Sequence, residues 1–114
     1  MAGLRRHIYL EEEFIFPPLK ETGMMMPVFV MLREHGELWD AMAGLDDLLS
    51  ADADPEMIQG ACRELLSRLD AHNSKEEPII YPHLDSDLDE GARAQLREFL
   101  VDGRMPDGWV CERA

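Results

Sequence analysis

Two segments of the chain share a spacing of histidine, glutamate and proline that strongly limits the folds it can adopt. Residues 7–19 read HIYLEEEFIFPPL, and residues 72–84 read HNSKEEPIIYPHL. Aligned without gaps, they match at His7/His72, Glu11/Glu76, Glu12/Glu77, Ile15/Ile80, Pro17/Pro82 and Leu19/Leu84. A repeat of this kind indicates one structural device that the chain uses twice.

The composition excludes several classes of partner. The chain has 114 residues, enough for one domain, and carries 24 acidic against 11 basic residues, a net charge of −13. Such a surface repels nucleic acid and anionic lipid, and no apolar run approaches the roughly 20 residues of a membrane span. The first residues lack the apolar segment of a secretory signal, and Cys62 and Cys111 have no metal-type spacing. We therefore expect a cytoplasmic protein that binds neither nucleic acid nor membrane.

Apolar periodicity predicts helices, and no alternating run is long enough to indicate a strand. The first helix should cover residues 3–16 and end at Pro17, because proline lacks an N–H donor and clashes with the preceding turn. Further helices are expected over residues 28–49, 55–81, with Asp54 as N-cap, and 91–101. The predicted fold class is all-α, an antiparallel helical bundle over residues 1–101 with an irregular tail over residues 102–114.

Ionisable side chains interrupt the apolar stripes of the first three helices. His7 and Glu11 lie on the stripe of the first helix, His35 on that of the second, and His72 and Glu76 on that of the third. No Lys or Arg lies on these stripes, and a buried carboxylate is costly unless something neutralises it. A metal ion would satisfy all five groups. We therefore predict that the metal ligands are His7, Glu11, His35, His72 and Glu76.

The heights of these residues along their helices support a single cluster. At about 1.5 Å per residue, His35 lies level with His72 in an antiparallel hairpin, and Glu11 meets His35. Imidazole and carboxylate ligands without thiolate suit iron or manganese, and zinc also accepts them. Two carboxylates from opposite helices can bridge two ions. The neighbouring Glu12 and Glu77, turned by about 100°, should support the ligands from behind or face solvent.

Three segments, HIYLEEEFIFPPL, MLREHGEL and HNSKEEPIIYPHL, together resemble the hemerythrin-like (HHE cation-binding) domain family in order and spacing. The resemblance covers residues 4–84. It implies a four-helix bundle with a non-haem di-iron centre, in which Glu11 and Glu76 bridge the irons and His7, His35 and His72 are imidazole ligands. It also implies that the protein binds, senses or reacts with dioxygen, peroxide or nitric oxide. No catalytic side chain or organic cofactor site is expected.

The chain departs from the family pattern in ways that affect its assembly. Only six residues precede His7, where family members carry a further helix with its own histidine, and Trp39 replaces a second histidine of some members. His83, which replaces Pro18 of the first repeat, lies beyond the expected helix break. Apolar positions within residues 42–49 and 58–65 would then lack cover, which indicates an interface. We expect a homodimer that completes the bundle, or a truncated form of a longer chain.

Two other functions stay open at this stage. One is a degenerate helical module that has lost part of its site and works through protein contacts. The other is a protein with a single zinc or manganese ion. One imidazole on an apolar face is most often a packed core residue, but three imidazoles matched with two carboxylates favour a metal site.

Overall fold

The computed structural model describes the backbone of residues 1–114 and every side chain except that of Asp85. In chain order the elements are α1 (Ala2–Leu10), a π-helical turn (Glu11–Ile15), α2 (Phe16–Glu21), α3 (Met25–Ser50), α4 (Pro55–Ile79), a 3-10 turn (Tyr81–His83), α5 (Leu84–Asp87) and α6 (Glu90–Asp102). The described backbone contains no strand, so the prediction of an all-α helical bundle is confirmed.

The first helix does not end at the two prolines, and that prediction is wrong. The chain stays helical from Ala2 to Glu21, because a π-helical turn precedes the prolines and a new α-helical segment then begins. In the π turn the N–H of Phe16 donates to the carbonyl of Glu11, five residues back. Pro17 consequently lies in the first turn of α2, where a missing N–H leaves no helical hydrogen bond unmade.

The long hairpin of α3 and α4 matches the sequence prediction closely. Both helices begin and end within about three residues of the expected bounds, and they pack along each other. Asp54 is the N-cap residue of α4, with an extended backbone (ψ 140°), and Pro55 follows at the first helical position. The α-helical hydrogen bonds of α4 end at Ile79, one residue after Pro78, and the chain tightens into the 3-10 turn.

The buried apolar residues form two clusters, with a polar layer between them. The first cluster includes Phe16, Leu19, Val28, Met31, Leu32 and Ile80. The second includes Ile8, Leu38, Met42, Leu45 and Leu65. On α3, Leu32 belongs to the first cluster and Leu38 to the second, and His35 lies between them. Burial of these side chains stabilises the helices on both sides of the polar layer, which is thereby held in the interior.

The apolar stripe that was expected to lack cover is only partly exposed. Three of its residues are buried: Met42, Leu45 and Leu65. Leu4 of α1 and Trp109 near the C-terminus pack against their cluster and shield it from solvent. The expectation was therefore wrong for these three positions. It holds for Leu49, nearer the end of the hairpin, which is 49% exposed.

Residues 103–114, named here the C-terminal tail, follow α6 and consist of turns. The tail returns to the bundle, where Trp109 and the buried Cys111 pack against the second apolar cluster. Within the described residues, we find no helix with the length and apolar character that crossing a bilayer requires.

Candidate metal centre

Four ionisable side chains from three helices meet in the polar layer. Glu11, at the start of the π turn, His35 of α3, and His72 and Glu76 of α4 are each at most 4% exposed. Each offers one ligand atom, and these four atoms all lie within 4.8 Å of one another. The structure therefore brings together four of the five residues that the sequence singled out, at the spacing of a shared metal site.

The Nε2 atoms of the two buried imidazoles face the carboxylates. Nε2 of His35 lies 3.2 Å from Oε1 of Glu11 and 3.9 Å from Oε2 of Glu76. Nε2 of His72 lies 3.1 Å from Oε2 of Glu76. The two imidazole rings are 4.9 Å apart between centroids. Nitrogen and oxygen donors from facing helices thus converge on one small volume.

Three buried polar atoms at this point lack a hydrogen bond. They are both carboxylate oxygens of Glu11 and Nε2 of His35, and no described side chain or backbone group satisfies them in hydrogen-bonding geometry. Buried polar atoms are almost always paired, because leaving one unpaired costs free energy. A metal cation would accept lone pairs from the carboxylate and the imidazole together. The donor set present in the chain therefore fits a cation.

His7 lies at the edge of this cluster rather than inside it. Its Nε2 atom is 3.3 Å from Oε1 of Glu11 and 3.8 Å from Oε1 of Glu76, but the side chain is 47% exposed. The expectation that His7 is buried like the other two histidines is wrong, because Glu11 takes the interior position one turn later. The hydroxyl of Tyr81 is its neighbour, 3.3 Å from Nε2. His7 can still reach a metal ion held by the two glutamates.

Each buried imidazole has a second carboxylate behind it. Nδ1 of His35 lies 2.8 Å from Oε2 of Glu12, and Nδ1 of His72 lies 3.0 Å from Oε1 of Glu34. A carboxylate only accepts hydrogen bonds, so Nδ1 of each ring carries a hydrogen. With a cation at the centre, each ring would be neutral and its Nε2 would present a lone pair to that cation. Metal-binding histidines are commonly oriented in this way.

Sequence reasoning anticipated one of these supporting carboxylates and missed the other. Glu12 and Glu77 were both expected either to support the ligands from behind or to face solvent. Glu12 supports His35, and Glu77 is exposed to solvent. Glu34 was not singled out, although it is buried and also accepts a hydrogen bond from Lys75. The only sequence signal for Glu34 was that it directly precedes His35. The imidazole that Glu34 contacts is His72, however.

In the metal-free cluster the neighbouring charges favour protonated His7 and His35 beside an ionised Glu76. The carboxylates of Glu11 and then Glu76, which lie beside Nε2 of His7, raise the pKa of His7 to about 10. Burial lowers the pKa of His35, but Glu11 and Glu12 outweigh burial and raise it to about 9. Burial also opposes ionisation of Glu76, yet its bonds to His7 and His72 hold its pKa well below the usual range. Proton and metal therefore compete for the same nitrogen atoms.

Tyr81 lies beside the cluster as a neutral hydrogen-bond donor. Its hydroxyl donates to Oε1 of Glu76 over 3.0 Å. Burial and the neighbouring carboxylates of Glu11 and Glu76 raise the pKa of Tyr81 above its usual range. The phenol is therefore present as O–H at any physiological pH.

Two other residues considered from the sequence lie away from the cluster. Nδ1 of His83 is 3.0 Å from Oδ2 of Asp87, one turn further along the chain. Trp39 packs edge-on against Trp109, with ring centroids 5.4 Å apart. His83 is thus engaged in a local pair, and Trp39 serves in the apolar packing beside the site.

The family comparison agrees with this geometry. The model of the hemerythrin HHE cation binding domain matches residues 1–100. The chain belongs to the hemerythrin HHE cation-binding family. No curated protein and no solved structure gave a significant match. The HHE assignment and the His/Glu cluster together support binding of a metal cation by this bundle.

Proposed function

We propose that this HHE protein holds two iron ions in the polar layer and binds, senses or reacts with a small molecule such as dioxygen, peroxide or nitric oxide. The proposed ligands are His7, Glu11, His35, His72 and Glu76. The observation that carries the proposal is the burial of Glu11, 0% exposed, with both of its oxygens lacking a hydrogen bond. A metal cation in contact with those oxygens would offset the cost of burying this carboxylate.

The directions of the Glu76 oxygens favour two ions over one. Oε1 of Glu76 faces His7 at 3.8 Å, whereas Oε2 faces His72 at 3.1 Å and His35 at 3.9 Å. A carboxylate whose two oxygens point to different imidazoles is placed to bridge two metal ions, as in the di-iron carboxylate proteins built on helical bundles. Glu11, which comes from a different helix, could bridge from its own side.

The exposed edge of the cluster is where a small molecule would arrive. Bound iron would supply redox chemistry and open coordination positions. The chain itself offers the half-exposed imidazole of His7 and, 3.3 Å away, the hydroxyl of Tyr81. A neutral phenol at this point can donate a hydrogen bond to a bound molecule, in exchange for its bond to Glu76. His35 and the carboxylate of Glu11 line the dry inner side.

A single zinc or manganese ion is a second candidate. Four buried residues have ligand atoms within 4.8 Å of one another, whereas His7 lies at the edge of the cluster. This arrangement favours one ion held by the four buried residues. Two imidazoles and two carboxylates would complete a four-coordinate zinc site. The metal content of the protein decides between the two candidates.

The test is metal analysis of protein produced with iron in the medium, together with its absorption spectrum. About two irons per chain and an absorption band of oxo-bridged iron would support the proposal. One zinc or manganese would support the second candidate, and protein without metal would favour the interaction module. His72→Ala should lose the metal, whereas His83→Ala should keep it, because His83 pairs with Asp87 outside the cluster. Equal metal content in both variants would contradict the ligand assignment.

A further inference from the structure

The C-terminal tail contacts the elements that carry the proposed ligands. The indole N–H of Trp109 donates to Oε1 of Glu13 over 3.2 Å, and the backbone N–H of Glu112 donates to Oε1 of Glu12 over 3.0 Å. Both acceptors belong to the π turn that begins at Glu11. The family match ends at residue 100, so the tail lies outside the part of the chain to which that match applies.

Glu12 links the tail directly to a buried imidazole. One of its oxygens, Oε1, accepts the N–H of Glu112, and the other, Oε2, lies 2.8 Å from Nδ1 of His35. The side chain of Glu12 is 5% exposed, so solvent does little to hold it in place. The tail hydrogen bond therefore fixes the carboxylate that in turn fixes the ring of His35.

A second contact joins the tail to α3 at the residue after His35. A Cβ atom added to Gly36 would lie 2.3 Å from the carbonyl oxygen of Arg113 and 2.7 Å from its carbonyl carbon. Any side chain at this position would collide with tail backbone, which cannot move aside as a flexible side chain can. Glycine at position 36 is what allows the tail to lie directly on α3.

Apolar packing anchors the tail in this position. The ring of Trp109 stacks on Tyr9 at a centroid distance of 5.1 Å and meets Trp39 at 5.4 Å. Cys111 is 4% exposed and belongs to the second apolar cluster. Aromatic burial of this kind stabilises a contact beyond a single hydrogen bond. The tail is thus held before Glu112 by this packing, and after Glu112 the backbone of Arg113 lies against Gly36.

We propose that the C-terminal tail is a positioning element for the metal centre, acting through Glu112, Glu12 and His35. The backbone N–H of Glu112 holds Glu12, and Glu12 keeps Nε2 of His35 directed at the ion. The inference rests on the proposed metal binding. Loss of a carboxylate that orients a metal-bound histidine usually weakens metal affinity by roughly ten- to a hundredfold, which sets the expected effect of releasing the tail.

Gly36→Ala tests the inference against a glycine-to-alanine control on α4. Gly36→Ala should displace the tail, whereas Gly60→Ala should not, because a Cβ at Gly60 meets nothing within 4 Å. Trp109→Ala releases the tail from its own side and leaves α3 unchanged. Far-UV circular dichroism checks that each variant is folded.

Two measurements on metal-free protein report what the tail does. In a Cys62→Ser background Cys111 is the only thiol, since the chain has two cysteines, and its labelling rate reports tail release. The ring ¹⁵N signals of His35 report the hydrogen bond at Nδ1. Gly36→Ala and Trp109→Ala should speed the labelling and shift those ring signals. Gly60→Ala should leave both the labelling rate and the ring signals as in the parent chain.

Metal titration completes the experiment, with Fe²⁺ or Co²⁺ as the probe. We expect the affinity to fall by roughly ten- to a hundredfold in both tail variants and to be unchanged in Gly60→Ala. Faster labelling of Cys111 with unchanged His35 signals and unchanged affinity would overturn the inference, and so would unchanged labelling in both tail variants. Failure of the parent chain to bind metal would instead overturn the proposed function, and the His35 signals would then decide the inference alone.

Discussion

Oε1 of Glu34 lies 3.0 Å from Nδ1 of His72, on the opposite side of the ring from Glu76. Lys75 donates to the other oxygen of Glu34, Oε2. Burial opposes ionisation of Glu34, but Lys75 and then His72 outweigh burial and lower its pKa. Glu34 is therefore an anion near neutral pH, and it holds the His72 ring with Nε2 directed at the proposed metal.

Replacing Glu34 with glutamine should weaken metal binding without unfolding the bundle. The amide can accept a hydrogen bond from Nδ1 but carries no charge, so we expect the affinity to fall by roughly tenfold or more. The control is Glu37→Gln on the same helix, because Glu37 is 48% exposed and contacts arginine side chains. Titration with Fe²⁺ measures both variants. Equal affinities would show that Glu34 does not support the site.

The helices themselves were largely predictable from the sequence. The apolar period of α3 and α4 and the pair Asp54-Pro55 are local signals, and the structure follows them. The π turn before Pro17 was not predictable in this way. Proline forbids a continuous α-helix, but it does not reveal whether the chain ends the helix or rearranges its hydrogen bonds, which depends on packing elsewhere.

The site was predictable to the extent that ionisable residues interrupted apolar stripes. That argument places Glu11, His35, His72 and Glu76 in the interior, where the structure has them. It could not find Glu34, whose contact with His72 depends on how α3 is rotated against α4. This rotation is set by tertiary packing, and the spacing of residues within one helix does not predict it.

Removing the metal should destabilise the protein by an amount that grows with the logarithm of the metal affinity. An ion that binds only the folded chain stabilises it by RT ln(1 + [L]/Kd), about 2.7 kcal/mol at a free concentration of 100 times Kd. Addition of a chelator should therefore lower Tm by several degrees, read by thermal melting at 222 nm. His72→Ala serves as the control, because it should melt at the same temperature with and without chelator. A chelator-independent Tm in the parent chain would contradict a structural role for the ion.

Metal-free protein should lose stability as the pH rises above neutral. His7 and His35 have pKa values raised from 6.5 to about 10 and about 9. Groups with raised folded-state pKa values contribute stability that is complete below pH 6.5 and is lost as the pH rises through 9 and 10. The free energy of unfolding in urea, measured with chelator present, should therefore fall between about pH 6.5 and pH 8.5.

The variant His7→Gln tests how much of this pH dependence comes from His7, at the edge of the cluster. His7→Gln removes one of the two imidazoles and should reduce the slope of unfolding free energy against pH. Burial raises the pKa of the Cys111 thiol from 9.0 to about 11. Titration of Cys111 therefore also lowers the stability of the protein as the pH rises, but it does so at higher pH than titration of the histidines. An identical slope in the parent chain and His7→Gln would show that His7 does not gain a proton on folding.

The homodimer expected from the sequence stays a prediction, and the groove between α3 and α4 is where it should form. The groove has a volume of about 580 Å³. Its lining combines small and apolar residues with charged ones: Ala41, Gly44, Leu45, Leu48 and Ala61, and Glu37, Asp40, Glu64 and Arg68. Small side chains allow another helix to approach closely, and the exposed Leu49 and Met57 extend the apolar character at the end of the hairpin. Arg68, the one basic residue of the lining, is already paired with Glu64 and Glu37.

Charge placed inside this groove should separate the dimer. Ala61→Glu introduces a carboxylate that would be buried against the second copy, at a cost of several kcal/mol, so light scattering should show the mass of the monomer, 13.0 kDa. Gln59→Glu adds the same charge at an exposed position of the same helix and should leave the dimer intact. A monomeric parent chain would refute the dimer outright, and a dimeric Ala61→Glu would place its interface elsewhere on the bundle.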